Sequence, residues 1–484
     1  MAKTMPKLKG GLPFLGHTLT FLGDPYAFKK NIFEEAKSDC VLAKLFGRDF
    51  ALWYGLEAMK TFYKLQDTHI IRYDSTPDPL KSVFGGSNAL PYLDGDVFRQ
   101  HKAMFMAALS SKAIEDYIGV FDEVIEKHLR TWVDKKDFTA LQPMLDMWWD
   151  LWCTLMFGEV QPKSLHDDLW LMMAAGSSLP VNLGCNAWAK GKRALDRVFP
   201  LFEAELHKQE DIIKQEGPSS LEYSRTKHVP AARRFVAARG TIPMNEVARD
   251  FIHMFISNYI TLTGAFIRIM MAFTLFPDQT AEVREEVRKR CPPGTPLTKG
   301  IFSTMPKLCA FAQEVRRFWF PIAIGGGTAL VKENFTFEGY EMKKGMGIIM
   351  THWCTGRDPR LYTDPDTFNF RRFLGDNPEP KVKEGYCNQG WGDNNTNHTC
   401  PAVEYAFYIL ASFATLTARS YEWTCPAQDM SWVWMNSMAG PKDSFKVTNF
   451  RRYNTTEDSP ATLGSLPTYK GVEYNPNASA RIPV

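Results

Sequence analysis

Several things are scarce in this 484-residue sequence, and each scarcity excludes a class of protein. Charge of one sign is missing: 57 Lys plus Arg stand against 54 Asp plus Glu, a formal net charge of +3. That balance, with no dense Lys/Arg run interleaved with aromatics, argues against nucleic acid as a partner. The nine cysteines are scattered and odd in number, so they do not form a disulfide framework, and most read as small buried hydrophobes. Uninterrupted apolar runs are short. In the N-terminal stretch, Pro6, Gly10, Gly11, Pro13, Gly16 and Gly23 break every one. No secretory h-region with a cleavage site is present, and no continuous apolar run reaches the roughly 20 residues of a membrane span. The expectation is a soluble, intracellular (cytoplasmic) protein, with a removed N-terminal anchor left open. No repeat of solenoid or propeller length is visible.

What is present is helical periodicity. Segments 112–132, 143–158, 164–176, 190–214, 245–274, 279–290, 305–319 and 402–418 carry apolar residues at i, i+3 and i+4. Alternating runs at 41–46 and 50–54, near Gly47 and Gly55, predict an N-terminal hairpin, and strand-like pieces return at 326–350 and 421–451. The fold class is therefore mainly α with small β-sheets. The segment 245–274 is apolar nearly all round and predicts a buried core helix. Its middle, Ser257-Asn258-Tyr259-Ile260-Thr261-Leu262-Thr263-Gly264, is polar. Gly264 inside a helix costs about 1 kcal/mol relative to Ala and suggests close approach by a flat ligand. Side chains bonded back to their own helix are the equally weighted alternative.

Three spaced features point to chemistry. Glu314 and Arg317 share one helix face at i, i+3. Arg372 lies between Phe370 and Phe373 in a Pro- and Asp-rich loop, where a planar guanidinium is suited to a buried carboxylate. Cys400 closes the polar loop Gln389-Gly-Trp-Gly-Asp-Asn-Asn-Thr-Asn-His398-Thr-Cys400-Pro401-Ala402, immediately before helix 402–418. Backbone N–H groups and the helix dipole there favour a thiolate, and a thiolate is an iron ligand in haem proteins. Taken alone, Cys400 reads as a structural thiol. A zinc site from Cys387, His398 and Cys400 matches no common spacing and lacks a fourth ligand.

In this order, the residues resemble the cytochrome P450 superfamily along nearly the whole chain. The likeness includes the lead LPFLGHTLTFLGDP, Phe98-Arg99-Gln-His-Lys102, the long central helix, Glu-x-x-Arg, Phe-x-Arg-Phe and the Cys loop. The resemblance implies one haem-thiolate catalytic domain over 1–453 with a C-terminal extension over 454–484, and haem b as cofactor. It implies Cys400 as the metal ligand and Glu314, Arg317 and Arg372 as the structural core. His398, Arg99 and Lys102 become cofactor-binding residues, although Phe98 replaces the usual Trp.

Two departures narrow the reading. The Cys loop is lengthened at 393–397 and carries Ala402 where Gly is usual, and Gln389-Gly-x-Gly with His398-x-Cys400-Pro401 looks most like the fatty-acid peroxygenases. In the central helix, Thr261 and Thr263 lack the neighbouring acid typical of oxygen-splitting members, and Ile256-Ser257-Asn258 replaces the peroxygenases' Arg-Pro. The resemblance then implies an oxidoreductase acting on a small apolar, lipid-like substrate with hydrogen peroxide or an organic hydroperoxide. Asn258, Ser257 and Thr261 are its candidate catalytic residues, and Leu90, Pro91, Leu179, Val181, Ile322 and Ile324 its candidate pocket. The alternatives are a hydroperoxide-rearranging isomerase of the allene oxide synthase kind, a monooxygenase needing a redox partner, and a non-catalytic haem- or metal-binding protein.

Overall fold

A computed structural model describes all residues except 1–2, 25–27, 29–31, 34, 74, 77, 177, 179–180, 224–227, 320–326, 377, 380–397, 399, 431, 436–437 and 454–484. The C-terminal extension expected at 454–484 lies outside the described residues. The protein is mainly helical with small sheets. Each predicted helical segment has a counterpart within a few residues, from Ser111–Lys135 to Val403–Ser420.

The N-terminal hairpin pairs Cys40–Leu45 with Arg48–Trp53. Leu45 faces Arg48, so the turn is Phe46-Gly47, with φ of 52° and 75°. Two central residues with positive φ make a turn whose twist matches the flanking strands. The hairpin is the edge of a five-stranded sheet. Arg48–Trp53 runs parallel to Gly347–Met350, which pairs with Thr328–Val331 and, through it, with Ile70–Ile71. Residues nearly 300 positions apart in sequence are thereby brought to one face.

The central helix, Met244–Leu275, spans 32 residues, about 48 Å at the α-helical rise. By length and hydropathy it meets the criterion for a membrane span, although its apolar residues are interrupted. It is nevertheless almost wholly buried inside the fold, as an all-round apolar helix in a large core should be. Aromatic side chains pack it. Tyr259 meets Trp148 edge to face at 4.5 Å between centroids, and Phe255 contacts Trp152, Phe157 and Phe202 at 5.6, 5.2 and 4.9 Å. The helix Val403–Ser420, which starts just after Cys400, inserts Tyr405 against Phe121 and Trp152. This packing ties the helix that follows Cys400 to the same core as the central helix.

Gly264 faces Arg268 of its own helix. A side chain there would meet the Arg268 guanidinium at 3.0 Å, so the glycine makes room for an arginine one turn along its own helix.

Candidate active site

The helix Pro306–Phe318 presents Glu314 and Arg317, both with no exposed side-chain surface. Arg317 donates from Nε to Glu314 Oε2 at 2.6 Å and from Nη2 to Oε1 at 2.8 Å. Its Nη1 reaches the carbonyls of Gly356 and Pro365 at 3.0 and 2.7 Å. Arg372 adds a third member, with Nε 3.2 Å from Glu314 Oε1, and the Asn369 N–H donates to that same oxygen at 2.8 Å. The two-pronged fork matches carboxylate geometry, and its remaining donors bind the loop 356–372 to the helix. Glu379, which no motif indicated, closes the network by accepting from Arg372 Nη1 at 2.5 Å.

Arg316, next in sequence, turns the other way. It is 7% exposed and lies within electrostatic reach of Cys400. Burial pulls its basicity down to about 10, and the sulfur acts to raise it. Lys102 sits on the helix Gly95–Ala108, where burial brings its ammonium to about 8, again opposed by Cys400. Arg72, at the end of the strand Ile70–Ile71, is the third cation around the sulfur. Neither Arg72 nor Arg316 was indicated by the sequence. Each is an isolated basic residue beside apolar or already assigned neighbours, and only the fold shows where it points.

Cys400 itself is half-buried, yet removal from water pushes its thiol up. The Ala402 backbone N–H, Lys102, Arg316 and Arg72 oppose that shift without overcoming it. The helix-start stabilisation expected from sequence is therefore real but smaller than the cost of burial. A metal ion that binds the sulfur supplies the missing charge.

His398 stacks on Phe98 at 4.7 Å, the position where Trp was expected, and its Nε2 is 3.1 Å from Asp67 Oδ2. Burial, with Arg72 contributing, lowers its pKa to about 4. Arg99 does not join this group. Its side chain is 47% exposed and pairs with Asp96, because position 99 lies on the outer face of its helix. The neighbouring inward position is His101, 2% exposed, with Nδ1 2.6 Å from Asp250 Oδ2 on the central helix.

On the central helix, the residues from 250 to 273 other than position 260 are buried except His253, Ser257 and Thr261. Spaced i, i+4 and i+8, these three form one stripe. Ser257 Oγ donates to the His253 carbonyl at 2.8 Å and Thr261 Oγ1 to the Ser257 carbonyl at 2.9 Å. Their hydroxyl protons are thus committed to the helix, as the alternative reading of this segment had it. Asn258 lies off the stripe. It is buried, with Nδ2 donating to the Met254 carbonyl at 2.8 Å.

Arg72 joins these parts into one place, since its charge is felt at Cys400, at His398 and at His253. Of the expected pocket, Leu90 is buried and its N–H donates to Asp250 Oδ1 at 2.6 Å, while Pro91 is half-buried beside it. Val181 is 52% exposed, on a surface turn before the helix Ala187–Glu216, and lines nothing internal. Leu179, Ile322 and Ile324 lie outside the described residues, as does Cys387 of the zinc alternative.

The cytochrome P450 family model matches residues 6–395. The chain belongs to the cytochrome P450 family. The match stops five residues before Cys400. Cytochrome P450 120 of Synechocystis sp. is 26% identical over 448 residues, covering 90% of this chain and 95% of that protein. A beta-amyrin 28-monooxygenase of Barbarea vulgaris is 22% identical, covering 87% of each. Among solved structures, the cyanobacterial CYP120A1 with retinoic acid bound superposes with a TM-score of 0.79 at 22% identity, covering 94% of this P450 and 100% of that chain. Cytochrome P450EX alpha with myristic acid gives 0.71 at 21% identity, covering 93% and 100%.

The family is one of haem-thiolate oxidoreductases, and the residues present fit a haem. A half-buried sulfur whose thiolate is disfavoured by burial and favoured by three surrounding cations suits a cofactor carrying both a metal and carboxylates. Cys400 would hold the iron. Lys102 and Arg72 would compensate the carboxylates, with His398 beside them.

Proposed function

We propose that this P450, with residues 1–453 as its catalytic domain and haem b as its cofactor, oxidises a small apolar, lipid-like substrate using hydrogen peroxide or an organic hydroperoxide. The carrying observation is the stripe His253, Ser257 and Thr261, which contains no acid and whose two hydroxyl protons are already donated to helix carbonyls. When bound, haem with a thiolate ligand supplies the electron push that favours O–O cleavage.

The protein's own share follows from its protons. Oxygenation with dioxygen consumes two electrons and two protons from outside for each substrate oxidised. Oxygenation with hydrogen peroxide converts R–H and H2O2 to R–OH and H2O, with nothing further supplied. The oxygen atoms of Ser257 and Thr261 keep lone pairs that can accept a hydrogen bond from a peroxide O–H. They have no free proton to deliver and no adjacent carboxyl to replenish one. The site is therefore arranged to hold an oxidant that brings its own hydrogen.

Similarity to proteins described with retinoic acid, myristic acid or beta-amyrin supports a lipid-like substrate. Similarity to the beta-amyrin monooxygenases favours a second reading, a monooxygenase served by a redox partner, with water supplying the protons. Product analysis with fatty acids and fatty-acid hydroperoxides, run in parallel with peroxide and with a reductase, separates the two. Turnover with peroxide alone supports the first, and strict dependence on the reductase supports the second.

A further inference from the structure

The segment 85–92 lies along the first half of the central helix and meets it at positions 246, 249, 250 and 253, which share one helix face. Arg249 Nη1 donates to the Gly85 carbonyl at 2.8 Å, Asn88 Nδ2 to Glu246 Oε1 at 3.2 Å, and the Leu90 N–H to Asp250 Oδ1 at 2.6 Å. The ring of Tyr92 ends the run edge to face with His253. A side chain at Gly85 would meet the Arg249 carbonyl oxygen at 2.8 Å, so the glycine permits this close approach. The two carboxylates each give one oxygen to the segment and turn the other to a single imidazole. His101 Nδ1 is 2.6 Å from Asp250 Oδ2, and its Nε2 is 3.6 Å from Glu246 Oε2. Asp250 and His101 are buried, whereas Glu246 is 28% exposed.

An imidazolium carries a hydrogen on both nitrogens, and a neutral imidazole on one. The short contact of Nδ1 with a wholly buried carboxylate keeps the remaining hydrogen, so loss of the proton turns a lone pair on Nε2 toward Glu246. Glu246, the exposed member, then has reason to swing to water and take with it the acceptor of Asn88. Asp250 keeps its bond but loses the charge assistance that roughly doubles such a bond's strength. No other charge faces the ring. Arg249 is turned to Gly85, and Tyr92 is an uncharged phenol whose ionisation burial opposes. From the packed helix Ala231–Ala237, Arg233 reaches Gln209 and the Ser220 carbonyl while Arg234 pairs with Asp116. On the histidine's own helix, Arg99 pairs with Asp96 and Lys102 lies toward Cys400.

We infer that His101 is a positioning residue that latches the segment 85–92 onto the central helix while it is protonated and loosens that segment when it is not. The direction follows from the closed arrangement. Burial lowers the pKa of His101, but its bond to Asp250 and the charges of Asp250 and Glu246 outweigh burial and raise it. Burial likewise raises the pKa of Asp250. Both groups therefore hold their protons more tightly with the segment in place, and opening is favoured as pH rises through the raised histidine value.

The test is amide hydrogen exchange of the haem-loaded full chain, read on peptides covering 82–93 near pH 6 and near pH 9 and corrected for the intrinsic pH dependence of exchange. Protection of this segment is expected to fall about fivefold to tenfold between the two pH values. Peptides from the buried helix Leu141–Phe157 should keep theirs. In His101→Gln, which has no proton to lose, the change with pH should shrink below about twofold. In Glu246→Gln, where the amide can still accept from Asn88 and donate to a neutral imidazole, the change should fall to about twofold with protection near the high level. Protection of 82–93 that does not vary with pH in the unmodified protein would overturn the inference. So would a pH dependence that persists undiminished in either variant, or a parallel loss in Leu141–Phe157, which would mean global loosening and no latch.

Discussion

Arg317 grips Glu314 with both prongs of its guanidinium, Nε to Oε2 at 2.6 Å and Nη2 to Oε1 at 2.8 Å, and neither side chain has any exposed surface. Arg372 shares the same carboxylate. Removing the charge of Glu314 would leave two buried guanidinium groups without their common counter-charge. Glu314→Gln is therefore expected to cost about 3 to 5 kcal/mol in chemical denaturation, with loss of retained haem. Arg317→Lys, which keeps the charge but not the fork, should recover only a minor part of that stability.

Cys400 is the residue on which the haem-thiolate assignment turns. Cys400→Ser should remove the red-shifted ferrous carbon monoxide band that thiolate ligation gives, while the helical circular dichroism stays near that of the unmodified protein. Persistence of the band in the variant would mean that another residue ligates the iron.

His101 provides a pH test. Burial acts to lower its pKa, but the bond to Asp250, the charge of Asp250 and that of Glu246 outweigh burial and raise it above the ordinary 6.5. A raised histidine pKa contributes stability that is complete below the ordinary value and is lost as pH rises through the folded one. The stability gap between the unmodified protein and His101→Gln should therefore be about 1 to 3 kcal/mol near pH 6 and shrink by about pH 9. Urea titrations at the two pH values measure it, and a gap that widens with pH would contradict the assignment.

Thr261 separates the two oxidants. A side chain that transfers a proton in the rate-determining step contributes about 100-fold or more. Because Thr261 Oγ1 already donates to the Ser257 carbonyl, Thr261→Ala should lower peroxide-supported turnover by less than about threefold. A loss of about 100-fold would show that this hydroxyl does deliver a proton.

Much of the fold was legible in the sequence because its signals are local. The helical periods, the N-terminal hairpin near Gly47 and the Glu314, Arg317, Arg372 and Cys400 spacings need no tertiary information. What was not legible depends on direction in space. Arg72 and Arg316 carry no motif, and only the fold aims them at Cys400. Arg99 and His101 are two residues apart on one helix, and the inward face belongs to His101. Asn258 and Ser257 are adjacent, yet a helix turns about 100° per residue, which puts Ser257 on the stripe and Asn258 off it. His253 carries no motif, and only the fold places it on one stripe with Ser257 and Thr261.

The most direct test of the account is the origin of the oxygen atom in the product. With isotopically labelled hydrogen peroxide, unlabelled air and no reductase, the account predicts turnover of a lipid-like substrate with label from the peroxide in the product. Absence of product under those conditions, together with label arriving from dioxygen only when a reductase and reduced nicotinamide are added, would contradict it.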